Sequence, residues 1–272
     1  MEKPLVSVLM TVYNRAAYIR DAITSVLAST YSHFELIIVD DCSTDDSLRI
    51  AYEIAATDNR ITVYANEKNL TDYPNRNRAA SYAKGKYIKY LDSDDTIYPY
   101  GLEIMVARME QFPEAALGLS KWGLPDKPFP ILLTPEELYR WSFLENRFIF
   151  TNAPSSTIIL RSAFEDCHGF SGLNQVGDLE FWMKMARRYP VVLMEAGTNW
   201  ARDHKDSEKY KDSLEVKAKM AFDLCIAALH AEDNPLSIHD KKRAIEKLQT
   251  DFKRNKFRGR IKKITSSFFP FR

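Results

Sequence analysis

Three carboxylates fall within four residues at Asp92-Ser93-Asp94-Asp95, directly after the apolar run Tyr87 to Leu91. Like charges this close repel, and at the end of a buried strand the repulsion costs stability unless something offsets it. A hard divalent cation, Mg2+ or Mn2+, does so, because it takes oxygen ligands and bridges carboxylates to substrate phosphates. A solvated acidic turn or a helix N-terminus, where Asp is common, accounts for the same residues. Asp40-Asp41 closes another apolar run, where a carboxylate can accept hydrogen bonds from a base or ribose, or simply cap the next turn. Thr11 to Arg15 closes the first run. Tyr13 can stack on a base there and Asn14 can fix the loop, while a polar strand exit is the plainer reading. Neither a GxGxxG fingerprint nor a P-loop occurs, which argues against a dinucleotide oxidoreductase or a P-loop kinase.

These polar groups need strand ends to hold them. Val6 to Val12 is nearly all apolar, as a strand covered on both faces should be. Ile19, Ala22, Ile23, Val26 and Leu27 then recur at helical spacing. Leu36 to Val39 reads as the next strand, and Ser43 with Asp46 as a capping-box-like helix start. Ile61 to Ala65 and Tyr87 to Leu91 are further strands, separated by a helix from about Asn75 to Ala83 with Gly85 as its terminator. A helix from about Pro99 to Gln111 follows. Strands alternating with helices predict an α/β fold with a mostly parallel sheet, in which ligands bind at the carboxyl ends of the strands. The later half predicts strands at Leu117 to Lys121 and Ser156 to Leu160. Helices are expected after Thr134-Pro135, from Asp178 to Tyr189, and beyond Ser207 with a break at Asn234-Pro235.

A chain of 272 residues with a net charge of +1 has a composition that does not point to nucleic acid. Charge is uneven, however: from Lys241 onward there are twelve Lys and Arg against two Asp and Glu. Phe257, Ile261, Ile264 and Phe268 recur at helical spacing among these cations. Residues 256–272 are therefore expected either to lie on an anionic membrane surface or to pack with a solvated basic face. Cys42, Cys167 and Cys225 form no CxxC pair, and their odd number fits a reducing compartment. The N-terminal apolar run is too short to span a bilayer and lacks a cleavage site, so the expected location is the cytoplasm, peripheral to the membrane's inner face if the tail binds it. Trp122, Trp141, Trp182 and Trp200 are expected in the core, each a candidate for stacking on a sugar ring.

Taken together, several segments resemble the family 2 glycosyltransferases of the GT-A fold. They are Ser7 to Arg15, Glu35 to Ser43, Asn75-Arg76-Asn77 leading to Ala83 to Ile88, and Leu91 to Asp95. Further on, Gly177 to Trp182 resembles that family's catalytic-base motif, and Arg202-Asp203-His204 its late Arg-x-His element. The resemblance implies a GT-A domain over 1–205, with a nucleotide-sugar-binding half (1–115) and an acceptor-binding half (116–205), then a helical basic extension (206–272). It implies an inverting enzyme with a nucleoside-diphosphate-sugar donor, uridine being the expected base. The implied acceptor is a saccharide or lipid-linked saccharide of a bacterial surface polysaccharide. Thr11, Tyr13 and Asp41 would hold the nucleoside, and Arg76 the phosphates or ribose. Asp92 and Asp94 would bind the divalent metal, with Asp95 assisting at the sugar or the metal. Arg202 and His204 would approach the diphosphate or metal. Asp178 would be the general base, although Gly177 stands where many relatives carry an acidic residue, which leaves Glu180 as the other candidate. Acceptor specificity is expected between Gly118 and Gln175. Of the rival readings, a nucleotidyltransferase would need a glycine- and lysine-rich loop that Thr11 to Tyr18 lacks. A receiver-like domain would leave the Asp92 cluster unexplained. A non-catalytic nucleotide-sugar binder would have no need to keep Asp92, Asp94 and Asp178 together.

Overall fold

The computed structural model describes residues 3–121, 127–204 and 213–257. Its centre is an eight-stranded sheet. In chain order the strands are β1 (Val6–Val12), β2 (Phe34–Asp40), β3 (Ile61–Ala65), β4 (Tyr87–Tyr90), β6 (Leu117–Lys121), β7 (Ile131–Leu133), β8 (Thr157–Leu160) and β9 (Val191–Glu195). In space the order is β3-β2-β1-β4-β8-β6-β9-β7. Strands β3, β2, β1 and β4 run parallel, β8 runs antiparallel between β4 and β6, and β9 is again parallel to β6. Two reversals across β8 leave β6 pointing the same way as β4. A separate ribbon pairs β5 (Thr96–Ile97) with β10 (Asn199–Trp200).

Both faces of the sheet are covered, as the continuous apolar strands require. Helices α1 (Ile19–Leu27), α2 (Ser47–Ala55) and α4 (Gly101–Gln111) pack on one face, around Val8, Met10, Ile23, Leu36 and Met105. Helices α3 (Asp72–Ser81), α5 (Pro135–Phe143), α6 (Arg161–Asp166) and α7 (Gly177–Arg188) pack on the other, around Leu9, Tyr90, Leu119, Phe170 and Trp182. Helices α8 (Leu214–His230) and α9 (Ile238–Phe257) join this second cluster through Ala221, Cys225, Leu229 and Ala244. An Arg140–Asp240 ion pair and a Phe222–Phe252 stack help hold them there. The interruption between α8 and α9 is the one Asn234-Pro235 predicts.

Three local expectations change. Helix α2 begins four residues after Ser43, because the Ser43 hydroxyl instead accepts the Asn14 amide from the neighbouring loop. Helix α3 begins at Asp72 and contains Pro74 in its first turn, where a missing N–H costs no helical hydrogen bond. It ends at Ser81, so Gly85 does not terminate it. Gly85 serves close approach: an added Cβ would lie 2.6 Å from the Ser7 nitrogen and 2.7 Å from the Leu5 oxygen. The α5 start, by contrast, forms a complete capping box between Thr134 and Glu137. Because backbone atoms and not pliable side chains face Gly85, Gly85→Ala should cost about 1–3 kcal/mol. Urea denaturation should record this as a lower midpoint with an unchanged slope.

Candidate active site

The carboxyl ends of β1 and β2 carry two loops that brace each other. The Asn14 side-chain oxygen accepts the Thr44 amide at 2.8 Å, and the Arg15 and Ala16 amides donate to Ser47 and Asp45 at 2.7 and 2.9 Å. Asn14 and Cys42 both adopt positive φ, 52° and 63°, so each loop turns sharply away from its strand. The Cys42 thiol donates to the Asn66 carbonyl. Asp41 is buried, and its carboxylate accepts from Asn66 Nδ2, the Leu70 amide and the Thr71 amide at 2.8–3.0 Å. A carboxylate has about four lone-pair positions, so one remains for an outside donor. Thr11 is half-buried on β1, and the Tyr13 ring is 48 % exposed above this edge.

At the end of β4 each carboxylate of the acidic cluster meets its own donors. Asp92 accepts from Arg76 at 2.7 Å. Asp94 Oδ2 accepts from Arg15 at 3.0 Å and lies 2.9 Å from His204 Nε2. Asp95 is buried and accepts the Arg202 amide at 3.0 Å, while Arg202 Nε donates to the Asp94 carbonyl. Burial, joined by the nearby charge of Asp92, raises the pKa of Asp95. Beneath the cluster lies Lys89, fully buried on β4, whose ammonium donates to the Ser155 carbonyl. Burial lowers its pKa to about 7, against the opposing pull of Asp92 and Asp95. The Arg202 guanidinium sits 5.2 Å from the Tyr18 ring and 5.0 Å from that of Trp200, and Tyr18 also packs against His204. The strand-end loop of β10 is thereby fastened over the acidic cluster.

Helix α3 links this cluster to Asp178. Arg76 lies almost wholly out of solvent between Asp72 and Asp92, at 2.8 and 2.7 Å, and one of its nitrogens, Nη1, is buried without a partner. Around it, Asn75 Nδ2 donates to the Val39 carbonyl of β2, and Asn75 Oδ1 accepts from Asn66 Nδ2. Asn77 exchanges two hydrogen bonds with Phe170 in the turn ahead of α7. Tyr73 is buried, and its hydroxyl accepts the Asp178 amide at 3.1 Å. Asp178 stands in the first turn of α7, where the helix dipole favours a carboxylate. Burial nevertheless raises its pKa to about 6, tempered by the Leu179 amide and by Arg76. Glu180, the other candidate, turns to Ser171. The glycine before Asp178 has a steric reason: a Cβ at Gly177 would lie 2.7–2.9 Å from three carbons of the Tyr73 ring.

The structure thus brings Arg76, Asp92, Asp94, Asp95, Asp178, Arg202 and His204 to one edge of the sheet, with Thr11 and Tyr13 one strand away along it and Asp41 two. Among the described residues, no group of three or more His, Cys, Asp or Glu side chains is arranged to hold a metal ion. A cation that shares its ligands with substrate phosphates needs only one or two protein carboxylates, however. Asp92 and Asp94 supply those oxygens, and His204 stands beside Asp94 with Nε2 turned toward it. The donor set fits such an ion. Tyr73, Asn66, Arg15 and Lys89 had no role assigned from sequence. Of these, Lys89 was visible as a charge inside an apolar run. Trp141 and Trp182 are core residues, Trp200 is 45 % exposed, and Trp122 lies outside the described residues. So does the basic tail beyond residue 257. Among the described residues, no helix is long and apolar enough to cross a membrane.

Comparison with known proteins adds the lineage. Residues 7–167 match the family model described as glycosyl transferase family 2. The chain is 30 % identical over 191 residues to the putative colanic acid biosynthesis glycosyl transferase WcaA of Escherichia coli, covering 68 % of this chain and 67 % of that protein. It is 46 % identical over 93 residues to the putative teichuronic acid biosynthesis glycosyltransferase TuaG of Bacillus subtilis, a match to 34 % of this chain and only 37 % of that protein. In structure it resembles Staphylococcus aureus TarS 1-349 in complex with UDP-GlcNAc, with a TM-score of 0.72 at 21 % identity over 97 % of this chain and 73 % of the other. It also resembles the mannosyltransferase PcManGT of Pyrobaculum calidifontis in complex with GDP-Man and Mn2+, with a TM-score of 0.64 at 15 % identity over 98 % and 86 %. A family match over more than half of its length, on a sheet of this topology, means that the chain belongs to glycosyl transferase family 2 and carries the GT-A fold.

Proposed function

We propose that this protein transfers a sugar from a nucleoside diphosphate donor to an acceptor hydroxyl by a single displacement that inverts the anomeric carbon. The observation that carries this reading is that helix α3 meets both groups: its Tyr73 hydroxyl accepts the Asp178 amide, and its Arg76 pairs with Asp92. It sets a carboxylate of raised pKa and an acidic, cation-competent cluster at one strand edge. An acceptor hydroxyl is a poor nucleophile, so a positioned base must take its proton as attack proceeds. Asp178 is ionised at neutral pH and stands where it can do so. The unpartnered Arg76 nitrogen is the donor for a diphosphate oxygen or the ribose. Thr11, Tyr13 and the free lone pair of Asp41 hold the nucleoside, for which uridine is the proposed base. Asp95 and Arg202 keep the cluster and the late loop in register. A divalent ion, Mn2+ or Mg2+, bound by Asp94 and Asp92 with His204 beside them, would supply Lewis-acid stabilisation of the departing diphosphate. Neighbours named with UDP-GlcNAc and with Mn2+ support the donor and metal readings. Relatives named for teichuronic and colanic acid synthesis support a surface-polysaccharide acceptor, saccharide or lipid-linked.

Asp178→Asn should lower turnover by about 10²–10⁴-fold while calorimetry still records donor binding; full turnover in this variant would remove Asp178 from the role. Asp178 works deprotonated and its pKa lies near 6, so kcat should be full well above pH 6 and fall about tenfold per unit below it. A flat profile down to pH 4.5 would contradict the base assignment. Asp94→Ala should weaken donor binding in the presence of Mn2+ by at least about tenfold and have little effect when EDTA is present. Equal losses under both conditions would mean that Asp94 binds no metal.

A further inference from the structure

The region expected to choose the acceptor contains a cation, Lys121, that the proposed chemistry does not use. Lys121 ends β6, which points the same way as β4, so it lies at the same edge of the sheet as Asp92. Leu117 and Leu119 face the cluster built on α3 and α7, and strand alternation puts Lys121 on that face as well, the face that carries Asp178. Its ammonium donates to the Thr151 hydroxyl at 2.7 Å. The next residue, Asn152, is buried, its side chain donates to the Ser120 carbonyl, and its own carbonyl accepts from Trp182, one turn beyond Asp178. Lys121 is therefore tied to the base helix through a short, well-braced segment.

An ammonium has three N–H donors, and here one is used, by a neutral hydroxyl. Among the described residues no carboxylate lies within ion-pair distance of it. This sets it apart from Lys86, paired with Glu110, and Lys219, paired with Asp223. Buried Lys89 feels Asp92 and Asp95, whereas for partly buried Lys121 burial acts alone and draws the pKa down to about 7. A partly buried charge without an internal counter-ion costs stability, and an anion brought to it offsets that cost.

We infer that Lys121 and Thr151 form a subsite for an anionic group, a carboxylate or a phosphate, on the acceptor that attacks from the Asp178 side. This rests on the proposed transferase reading and names the acceptor class that the reading leaves open. Lys121 is cast as a binding residue and takes no part in the proton transfer.

The test uses the full chain with UDP and Mg2+ present to fill the donor side, followed by NMR shift titration with glucuronate, glycerol 3-phosphate, glucose and glycerol. Glucuronate should bind at least about tenfold more tightly than glucose, or glycerol 3-phosphate than glycerol, with the Lys121 and Thr151 amides among the signals that move. Whichever anion discriminates more identifies carboxylate or phosphate. Lys121→Met should abolish the discrimination and Lys121→Arg should retain it, neither with a lowered melting temperature. Equal binding of charged and neutral probes, or discrimination that survives in Lys121→Met, overturns the subsite. The initial UDP titration is read separately. UDP binding without anion discrimination defeats only this inference, and absent UDP binding defeats the donor reading whatever the anions do.

Discussion

A guanidinium buried between two carboxylates sets the geometry of this site. Arg76 is held by Asp72 on its own helix and by Asp92 from the β4 strand end. A charge removed from water must be matched by close partners, and deleting one partner of a buried pair typically costs about 3–5 kcal/mol. The pairing therefore fixes where α3 sits relative to the acidic cluster. The flanking residues extend the constraint: Asn75 reaches β2, Asn77 the turn before α7, and Tyr73 the Asp178 amide. Four neighbouring side chains on one ten-residue helix thus set the positions of the nucleotide edge, the acidic cluster and the base.

The acidic cluster is stable in the protein alone because each carboxylate is matched in a different way. Asp92 has Arg76, Asp94 has Arg15 and His204, and Asp95 has the Arg202 amide over buried Lys89. The donors come from the β1 loop, α3, β4 and the segment after β10, elements far apart in the chain. Convergence of this kind ties the site to the complete fold, since losing any one segment leaves a carboxylate without its match. The stacking of Arg202 between Tyr18 and Trp200 secures the segment that comes from furthest along the chain.

The strands of the first half were legible because each is buried on both faces and its composition says so, as Val6–Val12 and Phe34–Asp40 illustrate. The carboxylates were legible because they crowd together at strand ends. Contacts between distant segments left less trace. Ser43 reads as a helix cap until a neighbouring loop presents the Asn14 amide, and Gly85 reads as a helix stop until β1 passes against it. Pro74 obscured the start of α3, since proline usually marks a boundary and here occupies a first turn that can do without its N–H. Tyr73 had no sequence signal at all. A single tyrosine on a polar helix says nothing of a carboxylate more than a hundred residues away.

The contact between the Tyr73 ring and the Cα of Gly177 bears on how this lineage can vary. The aromatic ring fills the volume that a side chain at position 177 would need, so the two positions are coupled by shape. An acidic residue before the base calls for something smaller than tyrosine, or a displaced ring, at this place on α3. The block runs one way: a larger residue at 177 is excluded while the ring stands, whereas a smaller residue at 73 meets no such obstacle.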